Sequence, residues 1–186
     1  KWIIIGFFMK LVVADRLSIY VDSIYNNVYE HSGASLMIAT FFFSFQIYCD
    51  FAGYSSIAIG SAKIMGYDLM INFNRPYFSI SFSDFWSRWH ISLSTWFRDY
   101  FYIPIGGNRV TVLRNFINIL LTFIISGLWH GANWTFMIWG LLHGIYLIIE
   151  NLFKLKTDDK ISIFNRILRI SVIFMLVSFA WIFFRA

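Results

Sequence analysis

The sequence predicts an all-α, polytopic membrane protein, with about four to five membrane helices and an amphipathic helix that is interfacial or re-entrant. Three observations predict this class. The chain has 186 residues and is 59% hydrophobic, 22% aromatic and only 13% charged; a soluble domain carries roughly 25% charged residues. Apolar runs near the length that spans a bilayer, about 20 residues, recur along it. Its basic residues gather between those runs rather than on a face of their own. The 22 Phe and 8 Trp suit the same class, because aromatic side chains tolerate lipid and anchor at its edges.

The elements follow in order. The opening stretch, Trp2 to about Leu17, is short and carries Lys10 with Asp15 and Arg16, so it is the end of a span or an interfacial helix. Leu36 to about Ile64 is the first full span, interrupted by Gln46 and Asp50. About Val112 to Trp129, about Trp134 to Phe153, and about Ile167 to Phe184 are the others. Between the first and second, residues 83–101 place Phe85, Trp89, Leu93, Trp96 and Tyr100 at spacings of three and four, the signature of one apolar helical face. Asp84, Arg88, Thr95 and Arg98 take the opposite face. Ser83 is a candidate N-cap, Pro104 halts the helix, and Asp84 and Arg88 are spaced to pair across one turn. Pro104 to Asn108 then reads as a tight turn. The chain reads as one membrane domain over 1–186, and as a fragment of a longer protein, since it opens at Lys1 inside an apolar stretch with no initiator Met and no signal peptide.

Charge assigns sides. Residues 21–35 hold no Lys or Arg, whereas 63–111 hold Lys63, Arg75, Arg88, Arg98 and Arg109, and 151–169 hold Lys154, Lys156, Lys160, Arg166 and Arg169. Two spans separate the basic connections, so both belong on one side, which the positive-inside rule makes cytoplasmic. That pattern also accounts for the net charge of +5 and argues against nucleic acid as a partner, because no basic patch stands apart from it. The one cysteine, Cys49, allows no internal disulfide and no Cys-cluster metal site. Lying in an apolar run, it reads as a small hydrophobe.

The residues able to carry chemistry are few. Two Trp-His pairs, Trp89-His90 and Trp129-His130, border apolar runs. Histidine is costly in a bilayer and is the side chain best poised to move protons near neutral pH. On a continuous helix His90 falls at the edge of the apolar face, beside Ser87 and Ser94; a catalytic role and a simple interfacial hydrogen bond both fit. His130 ends its span beside Gly127, Gly131 and Asn133, where it either meets a substrate or caps exposed carbonyls. His143 reads as a packing or hydrogen-bonding residue, and His31 as solvated. Asp50 must be neutral, paired or beside water; Gln46 and Tyr54, one turn away on either side, are its expected partners, and lining a substrate path is its second reading. Arg98, with Arg75, Arg109 and Arg114, is placed either to meet an anionic donor or simply to hold the chain's orientation. No phosphate loop, GxSxG elbow or metal-ligand array appears, so any chemistry rests on histidine with polar helpers.

At these residues the chain resembles a family. DFWSRWHISLSTWFRDYFYIPIGGNR (84–109) and GLWHGANWTFMIWGLLHGIYL (127–147) resemble the membrane-bound O-acyltransferases, supported by YCDFAGYSSIAIG (48–60) and WIFFRA (181–186). The nearest branch is that of bacterial alginate O-acetyltransferases and relatives acting on other envelope glycans, with teichoic acid D-alanyl transferases more distant. The resemblance covers nearly the whole chain. It implies a fold of about ten or more spans with re-entrant helices around a central funnel, seated in the bacterial cytoplasmic (inner) membrane. It places the catalytic histidine at His130 and the family's second signature position at His90. It implies acyl transfer from a cytoplasmic thioester, acetyl-CoA or another, to hydroxyls of an extracytoplasmic glycan or to an acyl-relay protein, with no bound cofactor and no metal. On that basis His130 is the expected general base, and His90 orients the donor or stabilises charge on the carbonyl oxygen. Asp50, Asn133, Trp129 and Arg98 are the candidate supports. His130 is then expected toward the outer end of its span and His90 on a cytoplasmic-side helix; if both serve one reaction a channel must connect them, and their meeting in space is the expectation the structure can break. The competing class is a transporter for acyl groups or protons, or a scaffold for a separate transferase; neither makes acylated product from a labelled thioester.

Overall fold

The computed structural model describes residues 1–153 and 161–186, and every regular element among them is helical. Lys154, Lys156 and Lys160, which contribute to the second basic connection, lie outside the described residues. Four of the helices are long and apolar enough to cross a membrane: α3 (Gly33–Ile64), α6 (Val112–His130), α7 (Trp134–Leu152) and α8 (Ile163–Arg185). These are the four expected spans, with α3 starting three residues early and α8 four. Polar caps explain both extensions: Ser32 accepts the Ser35 N–H and Ser162 accepts the Asn165 N–H, each stabilising an earlier first turn.

The chain divides into two compact units, Lys1–Asn72 and Phe73–Ala186. In the first, the opening stretch is helical well past Leu17, through α1 (Trp2–Phe7), a π-helical segment Phe8–Ala14 and α2 (Asp15–Tyr25). It packs along α3 at close range, and a Cβ on Gly6 would stand 2.6 Å from the Gly53 carbonyl oxygen. Asp50 does not take the partners expected of it. Lys10 reaches it at 2.7 Å and Asp15 at 3.0 Å, while Gln46 Oε1 is buried without a partner. An ammonium brought over from a neighbouring helix compensates a carboxylate better than the neutral amide one turn away.

In the second unit α6 and α7 form an antiparallel pair joined by a short turn, with α8 packed on α7. Glycine brings the pair together, since Cβ atoms at Gly127 and Gly140 would overlap the Phe136 and Phe123 carbonyl oxygens of the facing helix. Small residues are what allow such backbone approach between membrane helices.

The expected single helix over 83–101 is instead broken. α4 (Phe82–Arg88) ends at Trp89, His90 takes a left-handed conformation with φ 43°, and α5 (Ile91–Phe97) follows, continued by a π-helical segment Arg98–Tyr102. The cap is Ser81, not Ser83. Three contacts stabilise the break. The Arg88 carbonyl accepts the Asn74 N–H at 2.9 Å. The Trp89 carbonyl, released from the helical ladder, accepts the Ser94 hydroxyl at 3.2 Å. Asp84 and Arg88 do pair as expected, at 2.6 Å. The break turns α5, so that Phe97 is buried while Trp96 and Tyr100 of the expected apolar stripe are exposed.

Candidate active site

The broken segment is a re-entrant arm. It starts beside Glu150, near the end of α7, where the buried carboxylate accepts the Phe82 N–H, the Ser83 N–H and the Ser83 hydroxyl. A carboxylate at a helix N-terminus satisfies backbone donors that have no helical partner and complements the helix dipole. From there α4 rises along α7: Phe82 stacks on Tyr146, Phe85 on His143, and Trp86 meets Trp139 and Phe123. After the break the chain returns to the starting end. Tyr102 donates to Asn115, and the buried Asn118 holds the turn after the arm through the Ile105 and Gly107 carbonyls. His90 stands at the apex.

That apex is where the second Trp-His pair lies. The His90 ring is 6.4 Å from the Trp129 ring, centroid to centroid, and 6.4 Å from Phe73, on which it stacks. His130 ends α6 and is held edge-to-face by Trp139 at 5.3 Å and Phe184 at 5.0 Å. Both histidines therefore sit at one end of the unit, and the expectation that His90 stays at the basic end, joined to His130 by a channel, is corrected. The arm carries His90 across to His130. Burial, and next the charge of His130, push the His90 imidazole down to about 4. It is neutral at physiological pH, with one ring nitrogen to donate and one to accept.

Below the apex a cavity of about 270 Å³ lies between the arm and α6–α7. Its walls are mostly apolar; Ser94, Arg98, Thr122 and Ser126 supply polar groups along it, and Ser83 and Asn151 lie toward the Glu150 end. Arg98 holds Asp99 at 2.8 Å and depresses its carboxyl. A second cavity of about 310 Å³ opens between α7 and α8, where Arg169 and Glu150 share a wall with Ser81. Arg169, from the second basic connection, thus stands at the arm's starting end, as the parity of the spans requires.

The remaining predicted residues separate. Trp129 is 59% exposed and contacts both histidine rings. Asn133 caps α7, accepting the Thr135 N–H at 3.4 Å, and lies just beyond His130 in the chain. Asp50 belongs to the first unit and serves the Lys10 pair. No group of His, Cys, Asp and Glu with metal-binding geometry occurs among the described residues. Sequence reasoning missed Glu150 and Asn118. Each was visible as a polar residue inside an apolar run, but neither sits in a recognisable motif.

The chain belongs to the MBOAT, membrane-bound O-acyltransferase family, whose model matches residues 1–184. Within it, the chain is 44% identical over 181 residues to the "Probable alginate O-acetylase AlgI" of Azotobacter vinelandii, covering 97% of this chain and 36% of that protein. It is 42% identical over 182 residues to a peptidoglycan O-acetyltransferase of Helicobacter pylori, covering 98% of this chain and 34% of that one. A teichoic acid D-alanyltransferase of Streptococcus thermophilus is 33% identical over 173 residues, covering 86% of this chain and 42% of that one. The chain spans about a third of the length of the first two relatives.

Proposed function

We propose that this chain carries the histidine centre of a bacterial inner-membrane O-acyltransferase that moves an acyl group, by this reading acetyl, from a cytoplasmic thioester to hydroxyls of an extracytoplasmic envelope glycan or to an acyl-relay protein. One observation carries the reading: the break at Trp89–His90 brings the arm's apex beside Trp129–His130. Family membership supports the reaction class, and two acetyl-transferring relatives support the acyl group.

In this mechanism the donor enters at the Glu150–Arg169 end and lies along the 270 Å³ cavity, with its anionic portion toward Arg98. The neutral His90 donates to the thioester carbonyl oxygen, where negative charge develops. His130 takes the proton of the acceptor hydroxyl as its oxygen attacks the carbonyl carbon; such assistance typically contributes about 10²- to 10⁴-fold. The C–O bond forms, the C–S bond breaks, and the departing thiolate receives the proton held by His130. The cofactor requirement reduces to the thioester, acetyl-CoA or another, as a consumed substrate.

The test is His130→Ala in the full-length protein, assayed with labelled thioester and glycan. Product formation should fall by about two orders of magnitude or more while membrane abundance stays the same. Undiminished transfer sinks the assignment.

A further inference from the structure

Among the described residues, His143 is the one histidine that is wholly enclosed, with 0% exposure. The mechanism above does not use it. Its ring contacts four of the helices around the site: Phe85 and Trp86 of α4 at 6.2 and 5.0 Å, Phe123 of α6 at 6.3 Å, Trp139 of α7 at 5.0 Å and Trp181 of α8 at 6.3 Å. Both of its nitrogens are buried without a hydrogen-bond partner, and so are the indole nitrogens of Trp86, Trp139 and Trp181. An indole N–H only donates, and a neutral imidazole donates once and accepts once. Among these five nitrogens, therefore, the unprotonated nitrogen of His143 is the single acceptor.

Burying an uncompensated polar ring is unfavourable where phenylalanine fills similar space. The position of this one links it to the chemistry. Trp139, edge-on to His143, is also the ring that holds His130 edge-on at 5.3 Å. Trp86, also edge-on to the imidazole and 5.9 Å from Trp139, lies one turn before His90 on the arm. What singles out the imidazole is its unprotonated nitrogen, an acceptor that phenylalanine lacks and a glutamine carbonyl supplies, set against indole N–H groups that have no other partner. A polar ring packed against both indoles bears on the position of both.

We infer that His143 is a positioning residue of the transfer reaction, its imidazole holding Trp86 and Trp139 and through them the separation of His90 and His130. The inference rests on the two-histidine reading above. Displacement of reacting groups by about 1 Å can lower a rate up to about 10²-fold, so the effect belongs in turnover rather than in folding or donor binding.

The experiment uses the full-length protein and compares His143→Phe, which keeps ring and volume, with His143→Gln, which keeps a donor and an acceptor. His130→Ala serves as reference, and activity is normalised to folded protein. His143→Phe should lower kcat about tenfold or more with the thioester KM unchanged, and His143→Gln should recover most of that loss. Trp139→Phe should lower kcat similarly, which carries the test if His143→Phe does not fold. Native kcat in His143→Phe, or in Trp139→Phe where the former does not fold, overturns the inference. So does an equal loss in the Phe and Gln variants at position 143. If His130→Ala stays fully active, the two-histidine reading itself fails. If it is inactive while His143→Phe turns over normally, only the positioning role fails.

Discussion

The α6–α7 pair and the re-entrant arm each present one histidine, and they are built in opposite ways. The pair is two uninterrupted helices locked backbone to backbone at Gly127 and Gly140. The arm is two helices of seven residues around a left-handed residue, held at its base by Glu150. Regular helix holds His130 where its own chain puts it. His90 depends on contacts from elsewhere, because helices this short are unstable alone and a non-glycine left-handed residue is itself unfavourable by about 1–2 kcal/mol. The difference teaches that one histidine is placed by secondary structure and the other by tertiary support.

Substitutions can break this comparison. The largest effect is on chemistry: His90→Asn, assayed in parallel with His130→Ala, should lose less activity. His130 moves the proton, whereas an asparagine amide still offers a donor to the carbonyl oxygen. Kinetics with labelled thioester check this, and an equal or greater loss at position 90 reverses the assigned roles. Next come Gly127→Ala and Gly140→Ala, each adding a methyl group against a facing backbone carbonyl that cannot rotate away. Overpacking of this kind destabilises by about 1–3 kcal/mol, and thermal unfolding in detergent would show it; unchanged stability means that the pair is not locked there.

Glu150→Ala should cost about 1–3 kcal/mol by leaving the buried Phe82 N–H without its acceptor, together with the more exposed Ser83 N–H. It should also release the arm, so that proteolysis near residues 80–90 accelerates while α6–α7 stays protected. Equal protection of both regions would mean that Glu150 does not hold the arm.

The smallest effect is in pH. The His90 imidazole is pushed down to about 4 from an unperturbed 6.5, so between those values the unfolded chain binds more protons at this position than the folded one. Stability from this group is therefore full above about pH 6.5 and declines as pH falls toward 4. His90→Asn should flatten that part of the stability profile, and an unaltered slope would remove the burial argument.

Much of the membrane frame was legible in the sequence, because a span is a property of its own residues. About twenty apolar positions in a row must form helix, since lipid offers no other partner for the backbone. Local signals placed the Asp84–Arg88 pair and the end of the amphipathic stretch near Pro104. The histidines were equally visible, because charge-capable residues are rare in such a chain. Periodicity, however, described 83–101 as one helix. Nothing in its spacing records Asn74 capping Arg88, or Glu150 waiting 67 residues further on for Ser83. Asp50 was misread for the same reason: a one-turn rule looks along α3, and its partner Lys10 came from another helix.

By itself, then, the sequence determined the class of the protein, its spans and which two histidines to watch, all consequences of local composition and hydrogen bonding. Only the tertiary structure decided that the chain breaks at His90 and returns, bringing that ring beside Trp129–His130. A left-handed kink is unfavourable for the segment that contains it, so it exists only where distant residues compensate.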